Sequence, residues 1–205
     1  MKQVRSSWEI NSPYYHAATY EYPAAFYTSA AGRTYLIHCP IRYDQLDFED
    51  VESGEIVTNI SSRKPMDIFH SRLEVSPDNR FLLVKGWVWH PRDVCSLYDI
   101  EACLADPTLL DDGIVPTADG FMEQHVGAFI SDHEVLLGTV DSDESLPPHN
   151  PATWDFYKYP KIIDIRTGMA LCFRLSGAQR PDDADHRYTT SPSDRKRSRT
   201  SASGS

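Results

Sequence analysis

Residues 71–89 read "SRLEVSPDNRFLLVKGWVW", and the fold turns on how this run is divided. In "RLEVS" the side chains alternate, with Leu73 and Val75 on one face and Arg72 and Glu74 on the other. That period of two marks a half-buried strand. "SPDNR" then supplies a proline of fixed φ, an aspartate able to close an Asx turn and an asparagine tolerant of left-handed φ. "FLLVKGWVW" is almost wholly apolar, as a strand covered on both faces would be. Strand, tight turn and buried strand follow in that order.

Working outward, the same plan occurs three times. "AAFYTSAAGRTYLIHC" (24–39) leads to "YDQLDFEDVESGEIV" (43–57), and "SRLEVSPDNRFLLVKG" (71–86) to "DVCSLYDIEACL" (93–104). "VGAFISDHEVLLGTV" (126–140) leads to "YPKIIDIRTGMALCF" (159–173). Each unit has a polar turn opened by Ser29, Ser76 or Ser131, serines 47 and 55 residues apart. Each closes on a strand ending in Asp50, Asp99 or Asp164, and two of these run into "DVESG" and "DIRTG", with glycine where a hairpin must turn. The spacing is close to the period of about 40–50 residues of propeller blades.

On these residues the chain resembles the blades of bacterial WD40-like and related propeller-type repeat proteins. "SPDNR" matches their S-P-D-G-[RK] turn with Asn79 in the glycine place, and "SLYDI" stands where their W-D dipeptide does, with Tyr98 for the tryptophan. No G-H dipeptide precedes a unit, so the resemblance is to propeller-type blades and not to true WD repeats. It implies an all-β fold, a partial β-propeller of about three antiparallel four-stranded blades. The expected bounds are an N-terminal extension at 1–19 and a repeat domain at 20–175, with blades at about 20–60, 68–112 and 122–175. Three blades are fewer than the four to eight of a closed ring, so the expectation is a partial, self-assembling or truncated propeller.

Helix is scarce. "DIEACLADPTLLDDG" (99–113) predicts a turn or two at Ala102, Cys103 and Leu104, ended by Pro107, with Asp106 capping a further turn. The insertion "DSDESLPPHNPATWDFYKYP" (141–160) is rich in proline and acid and reads as surface loop. Residues 176–205 hold Tyr188 as their one large apolar or aromatic side chain. Nothing there offsets the ordering cost of about 1–2 kcal/mol per residue, so the tail is expected to be disordered.

The formal net charge is −10, and the tail holds six basic residues against four acids, so the body is more acidic than the total. Such a body repels phosphate backbones and excludes nucleic acid as its expected partner. Cys39, Cys95, Cys103 and Cys172 fit no zinc spacing and read as free thiols of a reducing compartment. No apolar run follows the basic start, and none approaches the ~18 residues of a membrane span. The expected setting is the cytoplasm, with no membrane partner.

Candidate chemistry is thin. Trp87 and Trp89 share one face of their strand, and His90, Arg92 and Asp93 lie on the loop that follows. These five, with His70, are the candidate ligand- or partner-binding residues; the competing reading of the tryptophans is core packing between sheets. Asp67, His70 and Ser71 in "MDIFHS" do not form a triad, because neighbours on one strand point to opposite faces. His125, Asp132, His133 and Glu134 form a local cluster that reads as a solvated turn. No catalytic residue, metal ligand or cofactor is assigned. The expected function is a non-enzymatic binding or interaction module, meeting a protein partner or itself through exposed blade faces. The alternative is a fragment of a propeller enzyme, lactonase- or dehydrogenase-like, with its catalytic residues on blades outside this chain.

Overall fold

Three sheets form in chain order, each a meander of consecutive antiparallel strands. The computed structural model describes residues 21–88, 92–111, 113, 126–138 and 160–172, with Arg92 and Cys172 described by backbone alone. The expected N-terminal extension, Trp89, His90, the insertion through Tyr159 and the tail at 176–205 lie outside the described residues. The first sheet comprises β1 (Ala24–Thr28), β2 (Thr34–His38) and β3 (Asp47–Asp50). The middle sheet comprises β4 (Ile68–Val75), β5 (Phe81–Val88) and β6 (Arg92–Asp99). The third comprises β7 (Val126–Phe129), β8 (Glu134–Gly138), β9 (Lys161–Asp164) and β10 (Met169–Cys172). Helix among the described residues is limited to α1 (Ile100–Ala105) and a 3-10 turn at Pro107–Leu110, the latter capped by the Asp106 side chain as the sequence predicts. The all-β expectation holds.

One set of polar contacts builds the turns of all three sheets. Ser29 Oγ accepts from the Arg33 N–H at 3.3 Å, Ser76 Oγ from Arg80 and Phe81 at 3.1 and 2.8 Å, and Ser131 Oγ from Glu134 at 3.1 Å. Three residues after the first two serines the chain turns left-handed, at Gly32 (φ 78°) and Asn79 (φ 62°). The strand-ending aspartates act alike. Asp50 Oδ1 accepts from the N–H of Glu52 and Ser53, and Asp164 Oδ1 from Arg166 and Thr167. The other carboxylate oxygen meets the residue leading into the preceding, paired strand: Arg33–Asp50 at 2.8 Å, Arg80–Asp99 at 3.3 Å and His133–Asp164 at 4.0 Å. Side chains that satisfy turn N–H groups make each hairpin locally specified.

The expectation of four strands per unit holds for the third sheet alone; the first two have three. In the middle sheet Asp99 Oδ1 accepts the Ala102 N–H and so starts α1 where the other units make a hairpin. In the first sheet the chain does return after Gly54, but it makes a single bridge between Glu49 and Ile56. It is then drawn across the strand end, where Thr58 Oγ1 bonds Asp47 at 2.8 Å and Arg63 bonds Asp47 at 3.0 Å.

The sheets stack face to face with the middle one covered on both sides. Leu82 and Val84 of β5 enter a core with Phe69 and Tyr98, closed by Tyr27, Tyr35, Ile37 and Phe48 of the first sheet. Leu83, between them, points the other way and joins Cys95 and Leu97 against Val135, Leu137 and Ile163 of the third sheet. This is the two-faced strand that the run "FLLV" predicts. Glu74 and Lys85 tie β7 across the second interface: Lys85 Nζ lies 2.8 Å from Glu74 and donates to the Gly127 carbonyl, while Glu74 accepts the Phe129 N–H. The register of β4 on β5 slips between Ser71 and Glu74, where Arg72 takes φ 44°, a bulge that bends the strand. The sequence also leads one to expect Phe26, Tyr35, Ile37, Leu171 and Phe173 on exposed end faces. Tyr35 and Ile37 instead face the middle sheet and are buried, because alternation turns Phe26 outward and its neighbours in; Phe26 and Leu171 are exposed, and Phe173 lies outside the described residues.

Gly127 sits where β7 presses on the middle sheet. A Cβ there would stand 3.1 Å from Cys95 Sγ and Leu137 Cδ2 and 3.3 Å from Leu83 Cδ2. Overpacking of this kind costs about 1–3 kcal/mol. Gly127→Val is therefore expected to lower the urea midpoint with the slope unchanged, and an unaltered midpoint would contradict this packing of the second and third sheets.

Candidate functional site

The stack has two rims. The serine hairpins lie on one, and Asn79 Nδ2 donating to the Thr28 carbonyl ties two of them together. The opposite rim gathers the ends of β2 and β5 and the start of β4, and it receives the sequence-selected residues that are described. Trp87 is half-buried; its ring centroid is 5.0 Å from that of Phe69, its cross-strand neighbour, which stacks on Tyr43 at 4.4 Å. Trp87 thus extends the core to the rim as the outer ring of a three-ring stack, whose far end is held by the Tyr43 hydroxyl donating to Asp67. Asp93 is half-buried opposite Trp87, and Arg92 stands opposite Val88.

His70 is buried, and its Nε2 lies 3.2 Å from the Asp44 carbonyl oxygen. A carbonyl only accepts, so Nε2 carries the proton. Burial lowers the pKa of His70 to about 4, which keeps the ring neutral near pH 7. Ser71, next in the strand, donates to the Glu21 carbonyl at 3.1 Å and fixes the chain entering β1.

A second histidine that the sequence reading passed over completes the rim. His38 Nε2 lies 2.9 Å from Glu49 and its Nδ1 lies 2.9 Å from the Tyr22 hydroxyl. Burial lowers the His38 pKa against the opposing pull of Glu49. In the neutral ring Nε2–H donates to the carboxylate, and Nδ1 accepts from Tyr22. Burial, with the nearby Cys39 and Glu49, raises the Tyr22 pKa to about 12, so the phenol keeps its proton. Tyr22, His38 and Glu49 form a hydrogen-bonded relay in which the imidazole and the phenol are held uncharged. The signal was present: His38 and Glu49 both fall on the outward alternation of their strands.

Two other polar features bear on chemistry. Arg63, almost fully buried, donates to Asp47 at 3.0 Å, to Asp111 at 2.7 Å and to the carbonyls of Thr58 and Leu46. That clasp uses the guanidinium's donors on the fold itself. On the hairpin rim a cleft of about 360 Å3 is lined by Gly32, Arg33, Thr34, Asp50, Glu52 and Ser53. Asp50 there is held below the ordinary carboxylate value, chiefly by the Ser53 N–H. Among the described residues no three His, Cys, Asp or Glu side chains converge as metal ligands, and no helix is long and apolar enough to cross a membrane.

Comparisons with protein-family models and with curated proteins find no match. The rim therefore rests on its own chemistry, which titration tests. A histidine depressed from 6.5 to about 4 makes the unfolded chain bind more protons between those values. Its stabilisation is full above pH 6.5 and is lost as pH falls toward 4, on the order of 3 kcal/mol. His70→Gln keeps a donor for the Asp44 carbonyl and does not titrate. The expected result is a flatter stability profile between pH 7 and pH 4 in equilibrium unfolding, with a residual slope from His38. An unchanged slope would mean that His70 is protonated as easily in the folded protein as in the unfolded chain.

Proposed function

We propose that this chain is a non-enzymatic interaction module assembled from propeller-type repeats, and that it meets a protein through the exposed face of a terminal sheet. Reading each meander as one blade is supported by the shared serine turn, the shared strand-ending aspartate and the stacking of the sheets in chain order. A binding role is further supported by the state of the titratable groups. Burial depresses His38 and His70 and raises Cys95 to about 11 and Cys103 to about 12, so these side chains are held in their uncharged forms. Cys39, Cys95 and Cys103 are buried free thiols, which suits the cytoplasm. The net charge of −10 favours a protein over a nucleic acid as partner.

The observation that carries the reading is the outer face of the third sheet. Val126 is 56% exposed, Leu171 41% and Leu136 37%, in a contiguous antiparallel sheet. Apolar side chains gathered on one sheet face mark an interaction site in a way that scattered ones do not. On an open docking face, Leu136→Asp and Leu171→Asp should change stability by no more than about 1 kcal/mol while reducing the fluorescence of a bound hydrophobic dye. A loss of 2 kcal/mol or more, on the order of an emptied core position, would put this face inside the packed fold and sink the docking reading.

A further inference from the structure

Two buried histidines on one rim fasten two different segments of chain, and their partners differ in kind. His38, the last residue of β2, meets the Tyr22 hydroxyl through Nδ1 and Glu49 through Nε2, each at 2.9 Å, and so holds the segment entering β1. His70, on β4, meets the Asp44 carbonyl at 3.2 Å and so holds the loop between β2 and β3. That loop also lays the Tyr43 ring on Phe69, with centroids 4.4 Å apart, and its hydroxyl reaches Asp67. The partners decide what a second ring proton does. On His38 it makes an imidazolium beside a carboxylate, with Asp47 adding negative charge nearby. Nδ1–H then donates to the Tyr22 oxygen, since a phenol accepts as well as donates. That contact survives acid. On His70 the cation would be buried against a carbonyl dipole and repelled by the Arg63 guanidinium. The Asp44 carboxylate bears on the ring with the opposite sign, but Arg42 already holds it through bonds of 2.9 and 2.6 Å. Among the described residues, Asp44 and Arg63 are the charged groups that act on His70.

We infer that the loop at 40–44 is an acid-released latch: protonating His70 lifts it from the rim and takes Tyr43 off Phe69, while the stacked sheets and the segment held by His38 stay in place. The device belongs to the first sheet and is separate from the docking face proposed above. Release returns the imidazolium to water, where its charge is solvated, and that gain drives the opening. Little has to leave the core. Ile41 and Arg42 are exposed and Pro40, Tyr43 and Asp44 half-buried, so the moving part is lightly packed. On either side the chain is anchored, by buried Cys39 before the loop and by Gln45 and Leu46 after it, with Gln45 bonded to Asp47 at 2.8 Å. The closed loop lowers the His70 pKa from 6.5 to about 4. The open form therefore binds more protons between those values, and the latch weakens as pH falls from 6.5 toward 4. Between pH 7 and pH 4.5 the opening equilibrium should rise on the order of 50-fold.

Hydrogen exchange of the full chain, read by mass spectrometry and corrected for the pH dependence of intrinsic exchange, tests the latch. The reporter is the peptide covering 41–46, in which the Gln45 N–H bonds the Arg42 carbonyl at 3.2 Å in the closed loop. Its corrected exchange should rise about 50-fold from pH 7 to pH 4.5, and peptides covering 22–28 and 81–88 should exchange more slowly than it at both values. His70→Gln, which keeps a donor for the Asp44 carbonyl and does not titrate, should cut the rise to less than about fivefold. His38→Gln should leave the rise in place. A loop that exchanges no faster than β5 at either pH opens only with the whole fold, and that result would overturn the latch. An equal rise in His70→Gln would overturn it as well, by assigning the acid response to another group. The wild-type series decides without the variants: corrected exchange at 41–46 that stays flat from pH 7 to pH 4.5 removes the inference.

Discussion

The middle sheet has no free face, and the rest of the architecture follows from that. Leu82 and Val84 on one side of β5 and Leu83 on the other are each buried, and burying such a side chain stabilises by roughly 1.5–3 kcal/mol. A strand buried on both faces leaves polar groups room mainly at its ends, or where a buried group such as Lys85 finds partners. The ends carry the serine and aspartate contacts of one rim and the histidines of the other. Glu74 of the edge strand β4 and Lys85 of the central strand β5 pair with each other and take a backbone N–H and a carbonyl of β7, so the third sheet is bound to the second through main-chain groups as well as apolar side chains. The close approach at Gly127 is part of the same joint.

Arg63 shows how the chain handles charge away from solvent. One guanidinium makes four hydrogen bonds, two to carboxylates and two to backbone carbonyls, so most of its five donors are used within the fold. Ion pairs buried in this way contribute little net stability because desolvation offsets their attraction, yet losing one partner leaves a buried charge uncompensated. The value of the clasp is specificity. It holds the segment after Ile56 across Asp47 and joins it to Asp111 at the end of the 3-10 turn, and so diverts the chain from a fourth strand.

Much of the fold was legible because its turns are specified locally. Ser76, Asp78 and Asn79 act within five residues of one another, and the same chemistry recurs at Ser29 and Ser131, so spacing and residue type were enough to place three strand–turn–strand units. The helical segment was legible for the same reason, since Asp106 caps from the adjacent position. What escaped were choices made by distant groups. Asp99 looks like Asp50 and Asp164 in sequence, but it caps a helix because Ile100 and Cys103 find a buried place beside the first sheet. At the site, Trp87 was identifiable as a large aromatic on a strand, whereas its stack with Phe69 and Tyr43 depends on pairing across 18 and 26 residues. The relay through His38 depends on Tyr22, 16 residues before it. No local pattern encodes such meetings.

The order in which the sheets stack also orders events during synthesis. Hairpins between consecutive strands close short loops, so each meander forms its own hydrogen bonds quickly once it has left the ribosome. The first sheet is made first, but the side chains that cover Tyr27, Tyr35, Ile37 and Phe48 come from Leu82, Val84 and Tyr98. At about 5–20 residues per second the first sheet waits several seconds with its apolar face open. Its opposite face carries the hydrogen-bonded pairs Thr28–Thr34 and His38–Glu49, with Phe26 left exposed among them. Because the sheets stack in the order of their synthesis, each new sheet covers the inner apolar surface left by the one before.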